Sequence, residues 1–300
     1  MDLFQSRVNA DGSYVGLRDD PKQAKHRAFI NGLYNDVFAA YADRDFPEKF
    51  PIECVSRFWE LYLGSALIKT GFTLVPRSER PTQGPDFCVL EQGAHIWVEA
   101  VTPRIGDGAD SQVIGEKLKA GVFQRVPTDE IVLRYTSDIS AKYKNHLKHI
   151  SKGLVADQDP FILAINGGAM PIQFRDDIYT DEIPYAIQAV LPFGHYAMTI
   201  DPNTHETIKE GFQHRDQIPK VNGAPVPTNT FLDPSFSLIS ALLFASADPL
   251  STDTLTPDTL SMLRNGSCKH CLPDSWYKVG VQWSLSQQEN EYVLQRIQSC

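Results

Sequence analysis

An α/β fold with a central mixed β-sheet flanked by helices is what the sequence predicts, and three observations predict it. Apolar residues recur at helical spacing as far as Thr70; the rhythm then changes to short strands between Phe72 and Val101; and a one-sided apolar stripe at 137–151 precedes an unbroken apolar run at 161–165. A strand that is apolar on both sides needs cover on both faces of its sheet, which is the need the flanking helices meet.

The elements follow in order. Ala28, Phe29, Leu33, Tyr34, Val37, Phe38 and Tyr41 mark an N-terminal helical extension over 1–50, closed by Asp45-Phe46-Pro47. A second helix at 56–70 carries Phe58, Leu61, Tyr62, Ala66 and Leu67 and stops at Gly71, where a left-handed cap residue is expected. Strands follow at 72–75, 86–90 and 96–101. The stretch 118–122 reads either way, 130–135 predicts a strand, and 137–151 predicts a helix with Ile139, Tyr143, Leu147 and Ile150 on one stripe. The run at 161–165, bounded by Pro160 and Gly167, predicts a buried strand that closes a core over 51–170. Beyond Pro171 the pattern predicts a helix at 184–190, a strand pair at 196–200 and 207–212 joined through Asp201-Pro202-Asn203-Thr204, and a buried segment at 238–244. No linker interrupts 171–300, which reads as an α+β elaboration packed on the core.

Composition excludes several classes. With 42% hydrophobic and 22% charged residues among 300, the chain is neither disordered nor fibrous. It shows no basic-then-apolar leader and no apolar run long enough for a membrane span, so a cytoplasmic protein with no membrane partner is expected. The net charge of −9 argues against a general nucleic-acid coat, yet 111–155 is locally basic, with 8 Lys/Arg against 4 Asp/Glu. Its cations include Lys117, Lys119, Arg134, Lys142, Lys144 and Lys148, a patch able to face phosphates, although a solvated helix face would look the same. Five cysteines without a leader predict free thiols. Cys268-Lys-His-Cys271 offers half of a zinc site, with no second pair to close the tetrahedron, and reads as a loop.

The residues best placed for chemistry are carboxylates. If the segment Glu91-Gln92-Gly93-Ala94 turns a hairpin, Leu90 pairs with His95 and Val89 with Ile96, which sets Asp86 directly opposite Glu99. Carboxylates that close repel, and the usual compensation is a divalent cation. A slip of one residue would put them on opposite faces. Glu99 lies inside the apolar run Trp97-Val98-Glu99-Ala100-Val101, and Glu60 sits between Trp59 and Leu61 on the preceding helix. Ionisable groups in such settings are rarely buried without a partner, for which Arg57 is the plain alternative at Glu60.

In this order the segment resembles the PD-(D/E)XK, or restriction-endonuclease-like, nuclease superfamily: a helix with Glu60, a strand, Gly84-Pro85-Asp86, then Val98-Glu99-Ala100-Val101, a basic helix and a buried strand. The likeness spans about 51–167 and implies a restriction-endonuclease-like core. It implies that Asp86 and Glu99, with Glu60, hold Mg²⁺ or Mn²⁺, and that the chain hydrolyses nucleic acid, DNA ahead of RNA. It permits a homodimer. One position departs: the family pattern places Lys two residues after the second acid, where this chain has Val101. Some members are understood to supply that lysine from the neighbouring helix, and Lys142 is the best substitute; its bland reading is an exposed pair with Asp138 one turn earlier. Lys117, Lys119, Arg134, Lys144 and Lys148 would then contact the backbone of the nucleic acid.

Two rivals stand beside that reading. One is a nuclease-like fold without catalysis, serving as a nucleic-acid or protein interaction module, which Val101 favours. The other is an enzyme using Cys54, Cys268 or Cys271 with His195, His205 or His214. The chain has no GxSxG, P-loop, HExxH or dinucleotide fingerprint.

Overall fold

The computed structural model describes residues 1–116, 121, 125–175, 183–256, 259–288 and 291–297. Lys117, Lys119, Cys300 and nearly all of the ambiguous stretch 118–122 lie outside the described residues.

Helices α1 (Gly12–Asp19), α2 (Ala24–Gly32), α3 (Phe46–Lys49) and α4 (Cys54–Lys69) form the first layer, with a π-helical stretch at Leu33–Phe38. Asp11 starts α1 by accepting the Ser13 N–H at 2.8 Å, the usual work of an N-cap carboxylate. Pro47 opens α3, where a missing N–H costs nothing, so the segment expected to end a helix also begins one. Helix α4 is buried over most of its surface because it lies between the sheet and the other N-terminal helices. Gly64 lets it: a Cβ there would overlap the ring of Phe38. The helix ends as expected, with Gly71 at φ +92° and the Phe72 N–H returning to Leu67 at 3.1 Å.

Strands β1 (Thr73–Leu74), β2 (Phe87–Glu91) and β3 (Ala94–Val101) form an antiparallel run, and α5 (Thr128–Ser151) carries the chain to β4 (Phe161–Asn166), which lies parallel to β3. Leu90 pairs with His95 and Val89 with Ile96. The turn is tight, since Glu91 also pairs with Ala94, leaving Gln92 (φ +51°) and Gly93 (φ +84°) between the strands. Two positive φ values suit the right-handed twist of a hairpin.

Helix α5 overturns one expectation. Residues 130–135, read as a strand, belong to its first turns. Ile131, Val132, Leu133, Tyr135 and Thr136 are all buried, so the apolar run reflects a helix covered on several sides. Periodicity alone does not separate that case from a buried strand.

The C-terminal half adds α6 (Tyr185–Gln188), two ribbons, β5 (Phe193–Ile200) with β6 (Thr207–His214) and β7 (Gln217–Pro219) with β8 (Pro225–Pro227), and then β9 (Ile239–Ala245), β10 (Ser261–Arg264), β11 (Val281–Gln288) and β12 (Glu291–Ile297). These last four strands join the first four in one mixed eight-stranded sheet of order β1-β2-β3-β4-β9-β10-β11-β12. The sheet separates two cores. Ile96, Val98 and Ala100 of β3 face the N-terminal helices, whereas Trp97 packs with α5 and α6, and β4 alternates in the same way. Among the described residues no helix is long and apolar enough to cross a membrane.

Candidate functional site

Alternation along the hairpin decides which side chains meet. Phe87 and Val89 join the core of the N-terminal helices and Cys88 the opposite one. Asp86, one residue before β2, therefore extends onto the α5 side, where Trp97 and Glu99 of β3 also lie, and the pairing of Phe87 with Val98 continues to Asp86 opposite Glu99. The Ala100 N–H donates to Asp86 Oδ2 at 2.7 Å, tying the carboxylate to the neighbouring strand.

Lys142 comes from α5 and donates to Glu99 Oε1 at 2.5 Å. The partner is thus Glu99 rather than Asp138, the neighbour one turn earlier on the helix. The side chain of Glu99 is 10% exposed and that of Lys142 29%, so the pair is largely sheltered but reaches solvent through the ammonium. Glu60 binds Arg57 Nη1 at 2.8 Å, and Arg57 also binds Glu53 at 2.7 Å, so the plain alternative for Glu60 is realised.

The carboxylates nevertheless feel one another. Burial pushes Glu99 up to about 7, with the Asp86 charge adding to the rise and Lys142 opposing it. Burial and then Asp86 push Glu60 up to about 8 in spite of Arg57. Asp86 is itself raised, chiefly by burial, while Lys142, the Ala100 N–H and Arg57 pull it back. Burial works to lower Lys142, but Glu99 and Asp86 outweigh it and keep the ammonium protonated. Burial is the first cause of all three rises and repulsion by another carboxylate adds to each, a setting in which a bound cation would favour the charged forms.

Among the described residues no three His, Cys, Asp or Glu side chains are grouped to hold a metal ion. A ready three-carboxylate cage of Asp86, Glu99 and Glu60 is therefore not present. A two-carboxylate site fits better: Asp86 and Glu99 each engage one oxygen in the hydrogen bonds above, and Mg²⁺ is commonly held by one or two carboxylates with water completing the octahedron.

Supporting groups absent from the sequence reading surround this centre. Arg80 donates to the Asp86 carbonyl and, at 2.7 Å, to Tyr41 O, while Arg77 pairs with Asp43 and binds Pro81 O at 3.1 Å and Thr82 O at 3.0 Å. The two arginines thus fix the loop that delivers Asp86. Their only sequence signal was two cations in a Pro-rich loop. Arg134 donates to Arg104 O at 2.8 Å, and Arg104 to Ser56 Oγ at 3.2 Å, which gathers both guanidinium groups where β3 exits between α4 and α5. Lys144 and Lys148 are exposed, but they stand about 200° and 240° around α5 from Lys142, on the side away from the site. Lys117 and Lys119 lie outside the described residues.

Comparison of the chain with protein-family models, with curated proteins and with solved structures gave no match. Function is therefore read from the site itself.

The thiol reading finds no geometry. Cys54 is fully buried, with its thiol pushed up by that burial, and Cys268 and Cys271 are joined in a disulfide, which corrects the expectation of free thiols there and removes the half zinc site. His195 and His214 pair with Asp129 and Asp216.

Proposed function

We propose that this protein is a metal-dependent nuclease of the PD-(D/E)XK type, hydrolysing phosphodiester bonds of nucleic acid, with Asp86 and Glu99 as ligands of Mg²⁺ or Mn²⁺. The observation that carries the proposal is Lys142: where the strand has Val101, a lysine from the next helix reaches Glu99 at 2.5 Å, opposite Asp86. The order of elements adds support. Helix α4, three antiparallel strands, helix α5 and a strand parallel to the third follow the order that the resemblance implies.

A bound divalent ion supplies a water of lowered pKa and offsets charge on the scissile phosphate. The chain's own residues do the rest. The Ala100 N–H orients Asp86 by holding Oδ2 against the neighbouring strand. Lys142, held protonated, donates to a phosphate oxygen or orients the attacking water rather than accepting a proton. Arg104 and Arg134, on the rim, contact flanking phosphates. Glu60 acts through charge: its raised pKa leaves it able to carry a proton near neutrality.

One observation favours the interaction-module reading. Lys142–Glu99 and Arg57–Glu60 are satisfied ion pairs without any metal. The two readings separate in one assay: cleavage of plasmid, single-stranded DNA and RNA in Mg²⁺ and Mn²⁺, with D86A, E99A and K142A each checked for folding. We expect metal-dependent cleavage that falls about 100-fold or more in all three variants. No cleavage by the wild type, together with no metal binding that depends on Asp86 and Glu99, establishes the module instead.

A further inference from the structure

Two cysteines meet near the surface in the loop that follows β10. Cys268 and Cys271, three positions apart, form a disulfide with their Cα atoms separated by 5.7 Å. Cys271 is exposed and Cys268 half-buried, whereas Cys54 and Cys88 are free, buried thiols whose ionisation burial opposes. Among the described residues, then, the cysteine sulfurs fall into two classes: two that are hidden and inert, and two that are bonded to each other where solvent reaches them.

The bridge adds little to the fold. A disulfide stabilises chiefly by restricting the unfolded chain, and a crosslink over three positions restricts it least. The loop is also held without it. The Lys269 N–H donates to Ser237 O at 2.7 Å, Ser240 Oγ to His270 O at 2.5 Å and Asn265 Nδ2 to Ile239 O at 2.9 Å. Arg264 donates to Leu272 O and Pro273 O, both at 2.9 Å, and the Leu272 side chain is buried in the core. These bonds fix the backbone on both sides of each cysteine, so the sulfurs stay within bridging reach whether or not they are joined. Exposure then sets the direction of attack. An incoming thiolate must reach one sulfur and displace the other, and Cys271 is the open one.

We infer that Cys268–Cys271 is a reversible thiol–disulfide exchange site, taking a low-molecular-weight monothiol as its reductant and the matching disulfide as its oxidant. A thiolate RS⁻ bonds to Cys271 Sγ, the Cys268–Cys271 bond breaks, and Cys268 Sγ leaves with the electron pair. A second thiolate attacks the R sulfur of the mixed disulfide, forming RSSR and releasing Cys271 as a thiolate. Two thiols are oxidised, the bridge takes up two electrons and two protons, and the reverse sequence restores it. The inference does not depend on the nuclease reading, since it uses none of Asp86, Glu99 or Lys142.

The test equilibrates the folded full chain in mixtures of reduced and oxidised glutathione, blocks free thiols with a maleimide and locates the label by peptide mass spectrometry. We expect Cys268 and Cys271 to gain label together in millimolar reduced glutathione and to lose it when oxidised glutathione is added, while the melting temperature of the two forms differs by no more than a few degrees. In the single variants, oxidised glutathione should form a mixed disulfide at Cys271 of C268S about tenfold faster than at Cys268 of C271S. A variant that fails to fold leaves the wild-type titration to decide. A bridge that stays closed in millimolar reduced glutathione, a pair that takes label before any thiol is added, or a melting temperature that falls by about 10 °C on reduction, the mark of a structural staple, overturns the inference. Equal or reversed rates in the two variants overturn the assignment of Cys271 as the attacked sulfur.

Discussion

Asp86 raises both Glu60 and Glu99, so its charge weighs on the ion-free protein even while it serves the site. In D86N an amide oxygen still accepts the Ala100 N–H, and the repulsion is gone. We expect that variant to match or exceed the wild type in urea by about 1 kcal/mol while losing cleavage, the usual trade between stability and activity at a charged site. A midpoint clearly below wild type removes this electrostatic account. His146 makes a second residue-scale prediction. It is buried, stacked on Phe161 with ring centroids 3.7 Å apart, and burial pushes its pKa down to about 4 from an ordinary 6.5. Below the ordinary value the unfolded chain takes up a proton that the folded chain refuses, so stability is lost as pH falls through the window from 6.5 toward 4. Between about pH 7 and about pH 5 the loss is roughly 2 kcal/mol. Glu60 and Glu99, raised in the fold, act in the opposite sense over part of this range, so the informative quantity is the difference from H146F at each pH. That difference grows with acidification if His146 is responsible and stays constant if it is not.

At the level of elements, the β2–β3 hairpin sets whether Asp86 and Glu99 meet. Its turn places a glutamine at φ +51°, a conformation that Asn adopts more readily than Gln. Q92N should stabilise the protein by about 0.5 kcal/mol, read as a shift in urea midpoint with an unchanged slope, and leave cleavage intact because the register is preserved. Loss of cleavage in a stabilised Q92N would show that the turn does more than set register. Helix α5 teaches the complementary lesson. Its first turns are buried on several sides, and its next turns send Lys142 to the sheet while Lys144 and Lys148 face away, so one helix divides its basic residues between site and solvent.

Across the whole molecule, metal binding and stability are linked if Asp86 and Glu99 hold the ion. Mg²⁺ at a concentration well above its dissociation constant should raise the melting temperature of the wild type by several degrees. The shift should vanish in D86A and E99A, and survive in W283F, whose change lies on β11, away from the carboxylates. A shift of equal size in all of them marks a general salt effect instead. The eight-stranded sheet joins the two halves of the chain, its central strands β3, β4 and β9 lying parallel with helices over both faces.

Much of this was legible in the chain because it rests on local period. The hairpin register followed from a short loop placed at 91–94; the end of α4 followed from Gly71, and β4 from an apolar run bounded by Pro160 and Gly167. These features depend on neighbours within a few residues, where backbone sterics and side-chain alternation act directly. What only the tertiary structure decided are the contacts between distant segments. Lys142 meets Glu99 across 43 positions, Arg80 anchors Asp86 through Tyr41, and strands β9 to β12 complete the sheet begun by β1 to β4. Such pairings depend on how helices rotate and where strands insert when two cores close at once, and no local spacing encodes that choice.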